Sequence, residues 1–395
     1  MTFFEAREKY GVSYLPDFLA DYYEDVKYDS FITRETLTQM LDKFEVQNGR
    51  DRLFDIIDKI EADEGLHSFS GFVVEQTCAQ RNRLDGEHIN VKGCEALGEL
   101  GELYPMLILI SCGPVATAAC LKRGIPEEAF APTRDRMIGG ILRGYDKGRT
   151  KVSFAWQANF ATCALYQFGR FYFVPHRYDS EFDIYKNKEN GKVIALINGG
   201  IKIRPEDGQY DGIEKFFSEN AFETVREDND EAYIGNPIHP EGKVLPEVVR
   251  LPKSEWEQTV FEGDCFLALH IPGGPGYDPD HFREATLEAL AFYEKYFPDM
   301  PVRGIWSESW LYDEHLRQLL PEDSGIVRMM DQMYIAPFRH GHASIHGELH
   351  HKEPPSSLEL AVKAYEEKGG TFASEFMFVL SEDAPRIGEG KLYTY

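Results

Sequence analysis

The apolar positions of the chain change their period near residue 150. Before it they recur at helical spacing. Leu37, Met40, Leu41 and Phe44 fall at i, i+3, i+4, i+7, and Leu53, Ile56, Ile57 and Ile60 do the same, with Asn48 and Gly49 as the break between them. Further helical patterns cover about 68–80 and 95–121, the second interrupted at Gly113 and Pro114, and another follows Pro132. After a last helix near Ser153 to Gln167 the texture turns to strands. Arg170 to Val174 is followed by Phe182 to Tyr185 and Lys192 to Ile197 on either side of an Asn190-Gly191 turn, which reads as an antiparallel meander. The charged, Gly/Pro-rich stretch 204–245 reads as a long excursion or lid.

The most informative stretch runs from Cys265 to Trp310. Cys265 to His270 is apolar on both faces, so this strand is expected at the centre of a covered sheet. A loop with three glycines follows. Asp278 and Pro279 then supply an N-cap and a first-turn proline for a helix that ends before Pro298 and buries Phe282, Ala285, Ala289, Tyr293 and Tyr296. Val302 to Trp306 reads as a second strand, too distant for a hairpin and therefore parallel to the first. Small molecules bind beyond the carboxyl ends of such strands, which brings His270 and Ser307 to Trp310 to one crevice. Downstream, Asp313 to Leu320 reads as a short helix and Ile326 to Phe338 as a strand. Ser356 and Glu359 form a capping box, and Phe376 to Leu380 is a closing strand.

At 395 residues the chain is longer than one core usually organises. The pattern divides it into a helical domain, 1–152, and a mixed β-sheet domain flanked by helices, 153–395, an α+β architecture. The formal charge of -25, from 67 acidic and 42 basic residues, argues against a broad nucleic-acid-binding face. An exception is the local basic run Arg134, Arg136, Arg143, Lys147, Arg149 and Lys151, which reads as the solvated side of a helix or a local anion-binding patch. The six cysteines lack C-x-x-C spacing and sit mostly in apolar runs, which implies reduced core residues and a cytoplasmic protein. No apolar run is expected to reach the ~18 residues of a membrane helix, and the first ten residues lack a signal-peptide core. Nothing in the sequence specifies an oligomeric state.

The block from Leu251 to Val327 carries Trp256, Gly263-Asp264, His270-Ile271-Pro272, Phe297-Pro298, Ser309-Trp310-Leu311, Asp313, Leu316, Leu320-Pro321 and Ser324. In these residues it resembles the C-terminal, GNAT-like half of a bacterial two-domain family of N-acyltransferases. KRGIPEEAF and the Gly169–Phe173 run GRFYF similarly resemble that family's helical half and its junction. The resemblance implies a GNAT-like mixed sheet whose neighbouring strands splay to admit acetyl-CoA or another acyl-CoA as co-substrate, with a small-molecule or protein amine as acceptor. No metal, nucleic acid or membrane is implied. The sequence departs from the usual R/Q-x-x-G-x-G/A phosphate loop. Here the loop is Gly273-Gly274-Pro275-Gly276-Tyr277-Asp278, in which Pro275 lacks a donor and Asp278 places a negative charge at the helix start. A like-charge pair at ~4 Å costs about 4 kcal/mol at an effective dielectric near 20, so the pyrophosphate is expected nearer the Gly273 and Gly274 amides.

Acyl transfer to an amine needs a base, donors for the oxyanion and an acid for the leaving thiolate. Glu308, between two serines and two tryptophans, is the candidate base if desolvated, and an ordinary surface carboxylate if not. His270 is a candidate base or ligand contact, or a structural residue bonding the next loop. Ser309 is a candidate donor, and W-S-E-S-W lacks the G-x-S-x-G elbow of a serine hydrolase. Trp306 and Trp310 are candidates to line an acyl or acceptor pocket, or else core. Two rival readings stand beside this one. The first is a GNAT-like scaffold that has lost catalysis. The second is a metal site built from His340, His342, His346, His350 and His351, in which three imidazoles at i, i+4, i+8 share a helix face that Gly341 and Gly347 argue against.

Overall fold

The computed structural model describes residues 1–213, 216–339, 349 and 354–395. These form two compact units, Met1–Gln167 and Phe168–Tyr395. The first unit is helical throughout, in Phe3–Lys9, Arg34–Lys43, Arg50–Ala62, Glu64–Arg81, Tyr104–Lys122, Ala131–Asp146 and Phe154–Ala161. The unit ends after Gln167 rather than after Val152. The reason is that Phe154, Ala158 and Ala161 are buried in the first unit's core.

Leu37 and Leu41 of one helix, and Leu53, Ile56, Ile57 and Ile60 of the next, are buried as their spacing requires. Gly49 takes φ 72° in the turn between them. A Cβ there would meet the Tyr145 hydroxyl at 2.7 Å, so both the backbone angle and the close approach call for glycine. Tyr104–Lys122 runs through Pro114 without the interruption the sequence suggested. The lost bond to Ile110 is tolerated because Tyr104 through Gly113 are all buried by neighbouring helices. By length and composition Glu95–Lys122 is apolar enough to cross a membrane, contrary to the sequence expectation, but most of it is buried inside the helical unit as a core helix. Arg134, in the basic run, is turned inward, with Nη1 donating to Thr117 and the guanidinium paired to Asp135 at 2.9 Å. All six cysteines are free and buried.

The second unit is built on a six-stranded sheet in the order Tyr166–Phe168, Phe171–Arg177, Cys265–His270, Val302–Ser309, Glu375–Leu380, Tyr334–Pro337, whose first strand begins in the last two residues of the first unit. Cys265–His270 lies inside the sheet, antiparallel to Phe171–Arg177 and parallel to Val302–Ser309. One face is covered by the helix Pro279–Tyr296, whose buried Phe282 meets Phe171 at 5.9 Å. The other packs on a five-stranded antiparallel sheet, with Phe182 against Phe376 at 5.2 Å and Phe378 at 6.0 Å.

Two expectations are corrected. The 204–245 stretch supplies strands Pro237–His239 and Lys243–Val244 to the five-stranded sheet rather than a free lid. Residues 326–338 split into a helix, Gly325–Met330, and a strand, Tyr334–Pro337. Ser324 causes the split by accepting from the Val327 amide as an N-cap.

Candidate functional site

The two central parallel strands are paired only at their beginnings. Phe266 lies opposite Gly304, Leu267 opposite Ile305 and Ala268 opposite Trp306, after a register shift past Cys265. Beyond Ala268 and Trp306 they part. Leu269 and His270 continue to pair with Phe173 and Tyr172 on one side, and Ser307 to Ser309 with Met377 to Glu375 on the other. The sheet is therefore forked at its carboxyl end. Near the apex the buried Ser307 hydroxyl donates to the Leu269 carbonyl at 3.0 Å, so a side chain replaces the missing main-chain partner.

Strand alternation sorts the fork's residues by face. His270 and Glu308 follow Ala268 and Trp306 by two, so both lie on the face toward the five-stranded sheet. His270 is half-buried, and burial drives its imidazole down to about 4, so it is neutral at pH 7. Glu308 is exposed, so the desolvation expected of a base between two tryptophans is not provided by the described residues. Trp306 is half-buried, stacked on Phe376 at 5.2 Å and 4.2 Å from the His176 ring, and its Nε1 is buried with no partner among the described residues. Trp310 is buried against Phe372 and belongs to the core.

The opposite face carries Ser307 and Ser309. Ser309 accepts from the Leu311 amide at 3.1 Å, which caps the turn Trp310–Tyr312 and leaves the hydroxyl proton available. Behind Ser307 lie two phenols, Tyr312 and Tyr277, both pushed up by burial, with Ser307 and Tyr277 near enough to Tyr312 to draw it back. Among the described residues neither hydroxyl finds a hydrogen-bond partner of ordinary geometry. Two buried donors beneath a fork are the groups an entering acceptor atom would satisfy.

The glycine loop is held by a residue that the sequence pattern showed only as part of GRFYF. Arg170 donates to the Pro272 carbonyl, to Gly274 at 2.7 Å and to Pro275 at 2.8 Å. Across a trans peptide the next N–H points away from the preceding C=O. The Gly273 and Gly276 amides are thus aimed away from Arg170, while Pro275 has no amide to aim. Gly273 and Gly274 are exposed and Gly276 half-buried. Tyr277 leaves the loop and sends its hydroxyl under the fork. The helix-start amides of Asp280 and His281 are taken by Asp278 at 3.1 and 3.2 Å.

Glu375 was not singled out from the sequence. It opens the strand beside Ser309 and is 3% exposed. Burial pushes its carboxyl well above the usual range, with Asp313 and Glu314 adding to the effect. Asp313 is itself held by the Ala373 amide at 2.6 Å and by His315 Nδ1 at 2.7 Å, which raises the His315 pKa.

Among the described residues, no group of three or more His, Cys, Asp or Glu is placed to hold a metal. The histidines 340, 342, 346, 350 and 351 lie outside the described residues.

A mixed sheet forked between two parallel strands, with a glycine loop at the end of the first, defines a GNAT-type fold. The model of the GNAT-like C-terminal domain family matches residues 165–373, and the chain belongs to that family. Over 96% of this chain and 99% of the other, the fold is similar to the solved structure of an acyltransferase in complex with decanoyl-CoA and teicoplanin, at 16% identity and a TM-score of 0.54. An acyltransferase in complex with decanoyl-CoA and one in complex with CoA and 10C-teicoplanin are similar over the same shares, at 14% and 15% identity and TM-scores of 0.53 and 0.52. No curated protein matches the sequence.

Proposed function

We propose that the protein transfers an acyl group from an acyl-CoA thioester to an amine. The observation that carries this is the fork: main-chain pairing ends at Ala268 and Trp306, and Leu269–His270 and Ser307–Ser309 diverge beyond it. The pantetheine arm fits between these strand ends, where unpaired main-chain groups can receive its amides. The pyrophosphate is assigned to the outward Gly273 and Gly276 amides, and the thioester end to the region of Ser307, Tyr312 and Tyr277. The Tyr312 and Tyr277 hydroxyls are donors for the oxyanion of the tetrahedral intermediate and for the departing thiolate, while Ser307 keeps its proton on the Leu269 carbonyl.

In the transfer the amine nitrogen bonds to the acyl carbon, the carbon–sulfur bond breaks, and the thiolate leaves as the thiol. One proton of the original ammonium is released. His270 is a poor receiver of that proton, since its conjugate acid near 4 lies far below an ammonium. Glu308, exposed on the same face as His270 and so across the strand from Ser307, takes part in removing that proton only by way of solvent. The similar structures hold decanoyl-CoA with teicoplanin or CoA with 10C-teicoplanin, which supports acyl chains longer than acetyl and acceptors larger than a simple amine as donors and acceptors to test.

Calorimetric titration with CoA, acetyl-CoA and decanoyl-CoA tests the first step, and release of free thiol on adding amines tests the second. Micromolar binding and amine-dependent thiol release are expected; no heat at millimolar ligand would remove the proposal.

A further inference from the structure

Glu375 Oε1 accepts from Gln209 Nε2 at 2.8 Å, and the same nitrogen donates to the Gly242 carbonyl at 3.0 Å, so Gln209 is fixed from both sides. Oε2 is buried and has no hydrogen-bond partner among the described residues. Gly242 packs beside it without a side chain: it takes φ +96°, and a Cβ built there would lie 3.1 Å from Ile335 Cγ2 and 3.6 Å from Oε2.

Among the described residues, the charged groups that raise the Glu375 carboxyl are the acids Asp313, Glu314 and Asp207, and the Tyr210 phenol also faces it. Each of these acids already has a partner. Asp207 is paired with Arg204 at 2.8 Å, Glu314 with Lys243 at 2.6 Å and Asp313 with His315 at 2.7 Å. Glu375 alone among them lacks a cation within the described residues. A buried carboxylate in acidic surroundings is relieved either by a proton, which its raised pKa favours here, or by a cation with N–H donors, and an arriving ammonium supplies both the charge and the missing donor. The position matters as much as the chemistry. Glu375 lies directly across from Ser309 at the open end of the fork, one strand spacing, about 4.8 Å, from the strand that borders the proposed thioester seat.

We propose that Glu375, through Oε2, binds the ammonium group of the acyl acceptor. It thereby selects acceptors that arrive as cationic amines over neutral alcohols and thiols. This rests on the acyl-transfer reading for its role in turnover, but binding of the cation is testable without turnover. Gln209 acts as the positioning residue that presents Oε2, and Gly242 places no side chain against it.

The test uses methylammonium chloride as the minimal cation and sodium chloride as the ionic-strength control. Methylammonium is expected to raise the melting temperature of the full-length protein above the sodium control, and Glu375→Gln is expected to abolish that difference. In turnover with a primary amine, Glu375→Gln should raise the KM for the amine at least tenfold while leaving the KM for acyl-CoA unchanged. In the unsubstituted protein, methylammonium should inhibit competitively against the amine and not against acyl-CoA, which keeps the test available if the variant folds poorly. Equal responses to methylammonium and sodium, or inhibition competitive with acyl-CoA, would overturn the inference. A protein that binds methylammonium through Glu375 but does not bind CoA would instead count against the acyl-transfer reading alone.

Discussion

His270 ends the central strand half-buried, and burial holds its imidazole at about 4. An unfolded histidine titrates near ~6.5, so the unfolded chain binds the proton more readily and stability is lost as pH falls from about 6.5 towards 4. His270→Gln should lose less melting temperature than the parent between pH 7 and pH 4.5, and parallel curves would show that His270 is not desolvated. Glu375 runs the other way. Its folded pKa is raised, so its favourable contribution is present below the unfolded carboxylate value and lost as pH rises through the folded one. Glu375→Gln should therefore gain melting temperature over the parent at pH 8 and gain less at pH 4.5, with about 2–4 °C for each kcal/mol relieved. His270 was legible because a strand ends there before a glycine loop. Glu375 was not, because it is the polar first residue of EFMFVL and reads as a strand edge. What buries it and orients it is Gln209, separated from it by 166 positions in the sequence. No single-sequence pattern connects the two. Glu308 marks the opposite limit: its residue type suggested a base, but its exposure is set by neighbours that local sequence does not specify.

At the scale of elements, the strand, glycine loop, helix and strand from Cys265 to Ser309 were legible because each boundary has a local chemical cause: apolar strand faces, Asp278 as a cap, and Pro279 in the first turn. The fork depends on one side chain. Ser307→Ala leaves the buried Leu269 carbonyl without its donor, which is expected to cost about 1–3 kcal/mol and to weaken acyl-CoA binding with it. Unchanged stability in chemical denaturation would show that the strands are held apart by something else. The loop depends on Arg170 in the same way. Arg170→Ala frees three carbonyls, so the Gly273 and Gly276 amides lose their common direction, and the Kd for CoA measured by calorimetry should rise tenfold or more. Arg170→Lys should not restore it, since one ammonium cannot hold three carbonyls in the geometry of a planar guanidinium. The split of 326–338 into helix and strand was missed because its apolar residues suit either element, and the deciding feature is the Ser324 cap.

For the whole molecule, the charge of -25 sets opposite long-range forces on the two proposed substrates. An anionic acyl-CoA approaches against the field and a cationic amine with it. Raising ionic strength from about 0.02 to 0.3 M shortens the Debye length severalfold, so the apparent KM for acyl-CoA should fall while that for the amine rises. Movement of both in the same direction would contradict this. The most direct test of the central claim is a crystal structure of the protein soaked with CoA. The result expected is density for the pantetheine arm between Leu269–His270 and Ser307–Ser309, with the pyrophosphate against the Gly273 and Gly276 amides. Density elsewhere on the molecule, or a fork closed by main-chain hydrogen bonds between those strand ends, would contradict it.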